Sequence, residues 1–322
     1  LEITNTIQKD KMQEQFLDQN PISRRRGITI KLAPVRMSYT LNSELYILNL
    51  TDTPGHVDFS YEVSRTLAAC EGGILLVDAT QGIQAQTVAH FREAKKEKLA
   101  LIPVINKIDL PSAEVEVVSK ELVDTFGFKP EEIICISAKT GKNVESLLEA
   151  VIKRLPMPKG KKEKALRGLI FDAVYDEFRG VVAYVRIVDG QVKKEDKVRF
   201  YQNNIESEVT DLGYFSPHLV SFGELSAGEI GYIITGIKDI RKVRVGDTIT
   251  QIQNSSIRQA QDKIQNSEKK LEPLPGYKIP KPMVFFGVYP KSTNDYIYLK
   301  ESLAKLILND TALTYSEEYS SY

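Results

Sequence analysis

Asp52-Thr53-Pro54-Gly55-His56 follows the strand-like run Tyr46 to Leu50 and leads into a helical pattern over residues 61 to 70. That order puts a polar, glycine-containing loop at the exit of a strand. An aspartate leaving a strand end can hold a magnesium ion, directly or through water, and a glycine lets its N–H approach a phosphate without a side-chain clash. An imidazole just beyond can orient a water beside a γ-phosphate, because in phosphoryl transfer the protein mainly positions the nucleophile and stabilises charge. His56 is therefore the candidate catalytic residue, with Asp52 and Gly55 beside it on the metal and phosphate side. Taken alone, Pro-Gly is an ordinary turn and the histidine after it an ordinary solvated side chain.

Two more motifs remove that ambiguity. Asn106-Lys107-Ile108-Asp109 directly follows the apolar run Leu101 to Ile105, and Ser137-Ala138-Lys139 follows Ile133 to Ile136. Each ends an expected buried strand, and in open α/β sheets ligands bind at the carboxyl ends of the strands, so the three motifs converge on one rim. The residue types select guanine. Asp109 can accept from both the ring N–H and the exocyclic amine of guanine, a donor pair that adenine lacks, and such a loss can reject the analogue by ~10⁴-fold or more. Lys107 can lay its methylene stem over the base, Asn106 can bond the purine edge or brace the neighbouring loops, and the Ala138 N–H can donate to the guanine carbonyl. Upstream, Arg24-Arg25-Arg26-Gly27-Ile28-Thr29-Ile30 supplies a switch segment. The Thr29 hydroxyl can join an octahedral magnesium shell while a γ-phosphate holds the loop and leave it after hydrolysis. Ile28 can wall off His56, and the arginine triplet has the plainer reading of a solvated charge run.

RRRGITI, DTPGHVDFSYEVSRTLAACEGG, NKIDLP and ISAKTG resemble the translational GTPases, and most closely the LepA family, also called elongation factor 4. The likeness continues through FDAVYDEFRGVVAYVRIVDG, ELSAGEIGYIITGIKDIRKVRVGDTIT and LEPLPGYKIPKPMVFFGVYP, where elongation factor G and BipA differ, so these two stand as alternatives. The resemblance implies a ribosome-dependent GTPase that uses Mg2+ with GTP and promotes back-translocation of tRNAs after a faulty forward step. Its partners would be the ribosome and, through C-terminal parts outside this sequence, tRNA. No DNA partner is expected. The location implied is cytoplasmic, with peripheral association at the inner face of the cell membrane known in the family, or an organelle matrix in a eukaryotic source.

The composition carries none of this. With 43 basic and 43 acidic side chains in 322 residues the net charge is zero, so no global field attracts nucleic acid and a ribosome contact must rest on local patches. Cys70 and Cys135 lie in apolar patterns without metal-ligand spacing and read as core thiols. His90, in an expected helix, and His218, beside Pro217, read as structural or solvated. No apolar run reaches the ~18 residues that span a bilayer.

Residues 1–158 alternate apolar strands with amphipathic helices, the pattern of a doubly wound parallel α/β sheet, with the clearest helices over Gln86 to Glu97 and Val144 to Arg154. Val144, Leu147, Leu148, Val151, Ile152 and Leu155 recur at helical spacing there, and Pro156 and Pro158 end it. The basic stretch Pro158 to Lys164 reads as an interdomain linker. Over 159–252, short β-branched strands with turn signals at Asp189-Gly190, Ala227-Gly228 and Gly246-Asp247 indicate a small β-barrel, the second domain of translational GTPases by resemblance. Residues 253–281 read as a polar linker. A strand over Pro282 to Tyr289, a helix near Tyr296 to Leu308 and a strand from Leu313 resemble the opening of a ferredoxin-like third domain, expected to be poorly stable by itself.

No G-x-x-x-x-G-K-[ST] occurs in residues 1–322: Gly141-Lys142 is followed by Asn143 and Gly160-Lys161 by Lys162. That phosphate loop would normally supply a nest of N–H groups, a lysine and one magnesium ligand. The expectation is a GTPase parent protein of which this segment alone binds GTP weakly. A non-catalytic ribosome-binding module is the alternative of a different class, and the joint presence of Thr29, His56 and Asp109 argues against it.

Overall fold

In the computed structural model the described residues are 1–13, 15–18, 20–239, 242–252, 272–275, 284–309 and 313–317. They divide into two compact units, Leu1–Pro158 and Lys159–Tyr322.

In the first unit, helix α1 (Pro21–Arg26) starts where the Asn20 side chain accepts from the Ile22 N–H at 2.8 Å with proline at its first position. It stops at Gly27, whose φ of 67° is left-handed. Strands β1 (Ala33–Leu41) and β2 (Glu44–Asp52) pair antiparallel with Leu41 opposite Glu44. Only Asn42 and Ser43 lie between them, at φ 51° and 67°. Two positive φ values in a two-residue loop make the turn whose twist matches that of the strands, and so short a connection can only return the chain antiparallel. The sequence reading did not anticipate this hairpin, because Asn-Ser lacks the glycine that usually marks such a turn.

Helix α2 (Ser60–Ala68) leads to strands β3 (Gly72–Asp78), β4 (Ala100–Asn106) and β5 (Ile134–Cys135), which pair parallel in that order. Between and after them come α3 (Ala85–Lys96), α4 (Val115–Phe126) and α5 (Val144–Arg154). Because side chains alternate along a strand, Leu75, Val77 and Ile105 pack with Val118, Leu122 and Phe91 of the first two helices, while Ile102, Val104 and Ile136 pack with Leu147 and Ala150 of α5. Helices therefore cover both faces, as a doubly wound α/β arrangement requires. Among the described residues the parallel sheet has three strands and β1 and β2 form a sheet of their own. Asp52 therefore does not end a strand of the parallel sheet, as the expected convergence of the three motifs on one rim required. Leu45 and Ile47 of β2 and Ile74 and Leu76 of β3 are exposed.

The second unit is built on β6 (Arg167–Asp176), β7 (Gly180–Asp189), β8 (Gln191–Lys193), β9 (Lys197–Phe200), β10 (Ile205–Glu208), β11 (Asp211–Ser216), β12 (His218–Ser221), β13 (Glu224–Ser226), β14 (Ile230–Ile234) and β15 (Thr248–Gln251). Eight of these form one sheet in the order β10-β9-β15-β6-β7-β14-β11-β12, and β13 pairs with β8 separately. Val181, Ala183, Val185 and Ile187 alternate along β7 into one core that also receives Val192, Leu225, Phe200, Leu212 and Ile249. Both sheets thus enclose the same interior, which is barrel-like although its ladder is not one closed ring among the described residues. The Asp189-Gly190 turn requires its glycine: φ is +77°, and a Cβ there would lie 2.6 Å from Leu166 Cα.

Asp189 ties that turn to the start of β6. Arg167 donates to its Oδ2 through Nη2 at 2.5 Å and Nε at 3.1 Å, the Lys161 N–H reaches Oδ1 at 3.2 Å, and Lys164 Nζ lies 3.3 Å away. Burial by itself would raise this carboxyl, but the bonds from Arg167, Lys161 and Lys164 outweigh it and hold the carboxyl below its usual range. A carboxyl depressed in the folded state contributes stability that is complete above its unfolded value of roughly 3.9 and is lost as pH falls through the lower folded value. Asp189→Asn is therefore expected to lower the stability of this unit at neutral pH by about 1–2 kcal/mol, with a smaller further loss below about pH 4 than the parent shows. Urea midpoints of both proteins at pH 7 and pH 3 check this, and equal acid losses would contradict it.

The expected 253–281 linker lies outside the described residues except for 272–275, where the Leu274 N–H donates to Thr248 Oγ1 at 2.9 Å. Helix α6 (Tyr296–Asn309) forms where one was expected, with Lys305 Nζ 5.4 Å from the Tyr175 ring centroid at the end of β6. The strand expected over Pro282 to Tyr289 does not form in its described part, 284–289, nor does one in 313–317. An extended segment becomes a strand only by pairing its N–H and C=O groups with a neighbour. No described residue pairs with either, and Val284, Phe285, Phe286 and Tyr289 are exposed. Among the described residues no helix is long and apolar enough to cross a membrane.

Candidate functional site

Because β3, β4 and β5 run parallel, Asp78, Asn106 and the residues after Cys135 leave the sheet at the same edge. Asn106 Oδ1 accepts from the Ala138 N–H at 3.0 Å, so the two motifs, 32 positions apart, are joined directly. Of the roles open to Asn106, the structure shows the loop brace, and the Ala138 N–H that was expected to face the base is occupied by it. Ser137, fully buried, bonds the Asp109 carboxylate and accepts from the Thr140 N–H through Oγ at 3.1 Å. That bond to Ser137, helped by the charge of Lys139, holds the exposed Asp109 carboxyl below its ordinary range. An ionised carboxylate is an acceptor only, which suits a base edge that only donates.

Lys107 follows with φ +66°, a backbone state uncommon outside glycine. Its Nζ donates to Asp78 Oδ2 at 2.6 Å, and Asp78 Oδ1 accepts from the Thr80 N–H at 2.8 Å and hydroxyl at 2.7 Å. Burial alone would raise the Asp78 carboxyl, but Lys107 and Thr80 together lower it. With the ammonium anchored there, the lysine stem is held across the rim. Sequence reasoning passed over Asp78, although an aspartate at the exit of an apolar strand is the same signal that marked Asp52.

The metal-side residues meet through another residue not anticipated. The Thr29 hydroxyl donates to Asp18 Oδ2 at 3.2 Å, Arg24 Nε holds the Asp18 carbonyl at 2.7 Å, and Asp18 is 7% exposed. Burial, with the neighbouring Asp18 carboxylate adding to it, pushes the Asp52 carboxyl above its usual range against a bond from the Thr53 N–H. The Thr29 hydroxyl and the Asp18 carboxylate meet directly, and carboxylate and hydroxyl oxygens are donors of the kind Mg2+ takes. By donor type Thr29 and Asp52 suit the ion expected for them, with Asp18 beside Thr29. Among the described residues no group of three or more His, Cys, Asp or Glu side chains could hold a metal, here or elsewhere.

His56 stands in the loop after β2, its side chain 44% exposed. Its Nδ1 is 3.3 Å from the Asp58 N–H nitrogen and 3.4 Å from Asp58 Oδ2. The two contacts call for different tautomers. When Nδ1–H faces the carboxylate, Nε2 is left as an acceptor for the hydrogen of a water. Gly55 is exposed, and a Cβ on it would meet nothing within 4 Å, so open space surrounds the position where a phosphate was expected. His90 is not simply solvated: its Nε2 lies 3.0 Å from the Gly55 carbonyl oxygen.

The comparisons agree with this architecture. The family described as Elongation factor Tu GTP binding domain matches residues 1–157, and Elongation factor Tu domain 2 matches residues 180–250. Elongation factor 4 of Aquifex aeolicus is 49% identical over 321 residues, covering 99% of this chain and 51% of that protein. The chain spans about half the length of the curated relatives it matches. A crystal structure of a protein from Thermus thermophilus shares the fold with TM-score 0.73 at 18% identity, covering 92% of this chain and 55% of that one. Translation elongation factor SelB from Methanococcus maripaludis, solved in complex with the GTP analogue GPPNHP, matches with TM-score 0.56 at 25% identity over 69% of this chain and 49% of its own. Strand-end motifs, barrel-like second unit and relatives together assign the chain to the translational GTPases, where it belongs to the elongation factor 4 family.

Proposed function

We propose that the protein carrying this chain hydrolyses GTP on the ribosome and uses it to move tRNAs back after improper translocation. The observation that carries the reading is the joined set Asn106–Ala138, Asp109–Ser137 and Lys107–Asp78 on one rim, since it pairs an acceptor-only edge with a held lysine stem and so matches guanine. In this reading Asp109 reads the two donors of the base, Lys107 covers its face, and Lys139 and Ser137 keep Asp109 ionised and aimed. Thr29 and Asp52 would hold Mg2+, which would supply neutralisation of phosphate charge. Gly55 leaves room for a phosphate oxygen, and His56 orients the attacking water. Residues 1–158 act as the nucleotide domain, 159–252 as the second domain that meets the ribosome, and 282–322 as part of a third. Residues 1–322 contain no phosphate-cradling loop, so by themselves they bind GTP weakly. The likeness to elongation factor 4 supports back-translocation over the forward step of elongation factor G, and a cytoplasmic or organellar site of action follows from the ribosome as partner.

The test uses a protein of the relatives' full length carrying this sequence. Ribosomes are expected to stimulate GTP turnover and not ATP turnover, and addition to post-translocation complexes should shift the ribosome boundary back by one codon on the message. Equal use of ATP would overturn the base reading, and forward movement alone would overturn the direction.

A further inference from the structure

The contact between His90 and Gly55 joins helix α3 to the loop that carries His56, 35 positions away. It ties Gly55 to an element far away in sequence. The remaining bonds of the loop are local: Phe59 N–H to His56 O at 3.0 Å and Asp58 N–H to His56 Nδ1. Pro54 before them is buried and the Phe59 ring centroid lies 6.1 Å from that of His56, but Gly55 and His56 themselves are exposed. Helix α3 is a firm base for such a tether, because Phe91, next to His90, stacks on Phe126 at 4.2 Å and meets Phe128 edge-on at 5.8 Å. The carbonyl of Gly55 and the N–H of His56 belong to one planar trans peptide and point in opposite directions. Holding the first therefore sets the plane from which the His56 side chain departs.

We propose that His90 is a positioning residue for His56, donating from Nε2–H to the Gly55 carbonyl and so fixing the peptide that aims the imidazole. The role rests on the reading of His56 as the residue that orients water. His90 itself touches neither base nor phosphate in this role, so its loss should act on turnover and leave GTP recognition alone.

Two measurements separate the tether from the chemistry. In the 322-residue chain, amide exchange of residues 55–59 is expected to rise about tenfold in His90→Ala, the factor set by one net hydrogen bond, and to return in His90→Gln, whose side-chain amide can donate to the same carbonyl. In the full-length protein with ribosomes, His90→Ala is expected to lower kcat about tenfold with KM for GTP unchanged, and His90→Gln to recover most of the rate. Equal behaviour of Ala and Gln, unchanged exchange, or a raised KM at constant kcat would each overturn the proposal. A parent protein that hydrolyses no GTP on ribosomes is a different result, since it removes the role of His56 and the positioning role with it even where the exchange data show the tether.

Discussion

Asp109→Asn is expected to turn nucleotide preference from guanine to xanthine by ~10⁴-fold or more in the ratio of kcat/KM values, the scale reached when a site built around a hydrogen-bonding edge meets a base that cannot satisfy it. Guanine offers two donors to Asp109. Asparagine keeps one acceptor but turns a donor towards the exocyclic amine, so two donors face each other and one stays unpaired. Xanthine has a carbonyl at that position and restores the pair. The Ser137 hydroxyl, which lowers the Asp109 carboxyl, can also donate to the Asn oxygen. The measurement is competition between the triphosphates of guanosine and xanthosine in the full-length protein, and an unaltered preference would sink the base-reading role.

His56→Ala should leave GTP affinity near its original value and lower ribosome-stimulated turnover by about 10²–10⁴-fold, the range for loss of a positioned proton-handling group. The side chain is 44% exposed and its hydrogen-bonding partner is Asp58 in its own loop, so truncation removes little packing and leaves the fold intact. His56→Gln separates two ways of acting. An amide can orient a water but cannot take its proton, so retention of most of the rate would assign His56 to orientation. A rate unchanged in His56→Ala while GTP still binds would refute its role altogether.

Much of the fold follows from local pattern. The helix over Val144–Arg154 lies where its 3.6-residue apolar period ends at Pro156, and β4 (Ala100–Asn106) lies where an apolar run meets a polar motif. The hairpin β1–β2 was not legible, because Asn42-Ser43 takes positive φ values that its composition does not demand. The strand expected over Pro282 to Tyr289 did not form over its described part, 284–289, for the opposite reason: its residue types suit a strand, but pairing is a property of two segments. The site divides in the same way. Asn106, Lys107, Asp109 and Ser137 were readable because each follows a strand end. Asp18 and the role of His90 were not, since nothing in their own neighbourhoods marks them.

By itself, then, the order of residues determined the α/β alternation, the barrel-like unit that follows it, and the three motifs from which the reading of guanine and water starts. Tertiary structure alone decided who holds the motifs in place. Asp78 anchors Lys107 across 29 positions, Ala138 meets Asn106 across 32, His90 meets Gly55 across 35, and Asp18 meets Thr29 across 11. Local periodicity reports only which face a side chain occupies, whereas a hydrogen bond between distant segments exists only once the fold has brought them together, at the ends of parallel strands for Lys107–Asp78 and Ala138–Asn106 and between a helix and a loop for His90–Gly55.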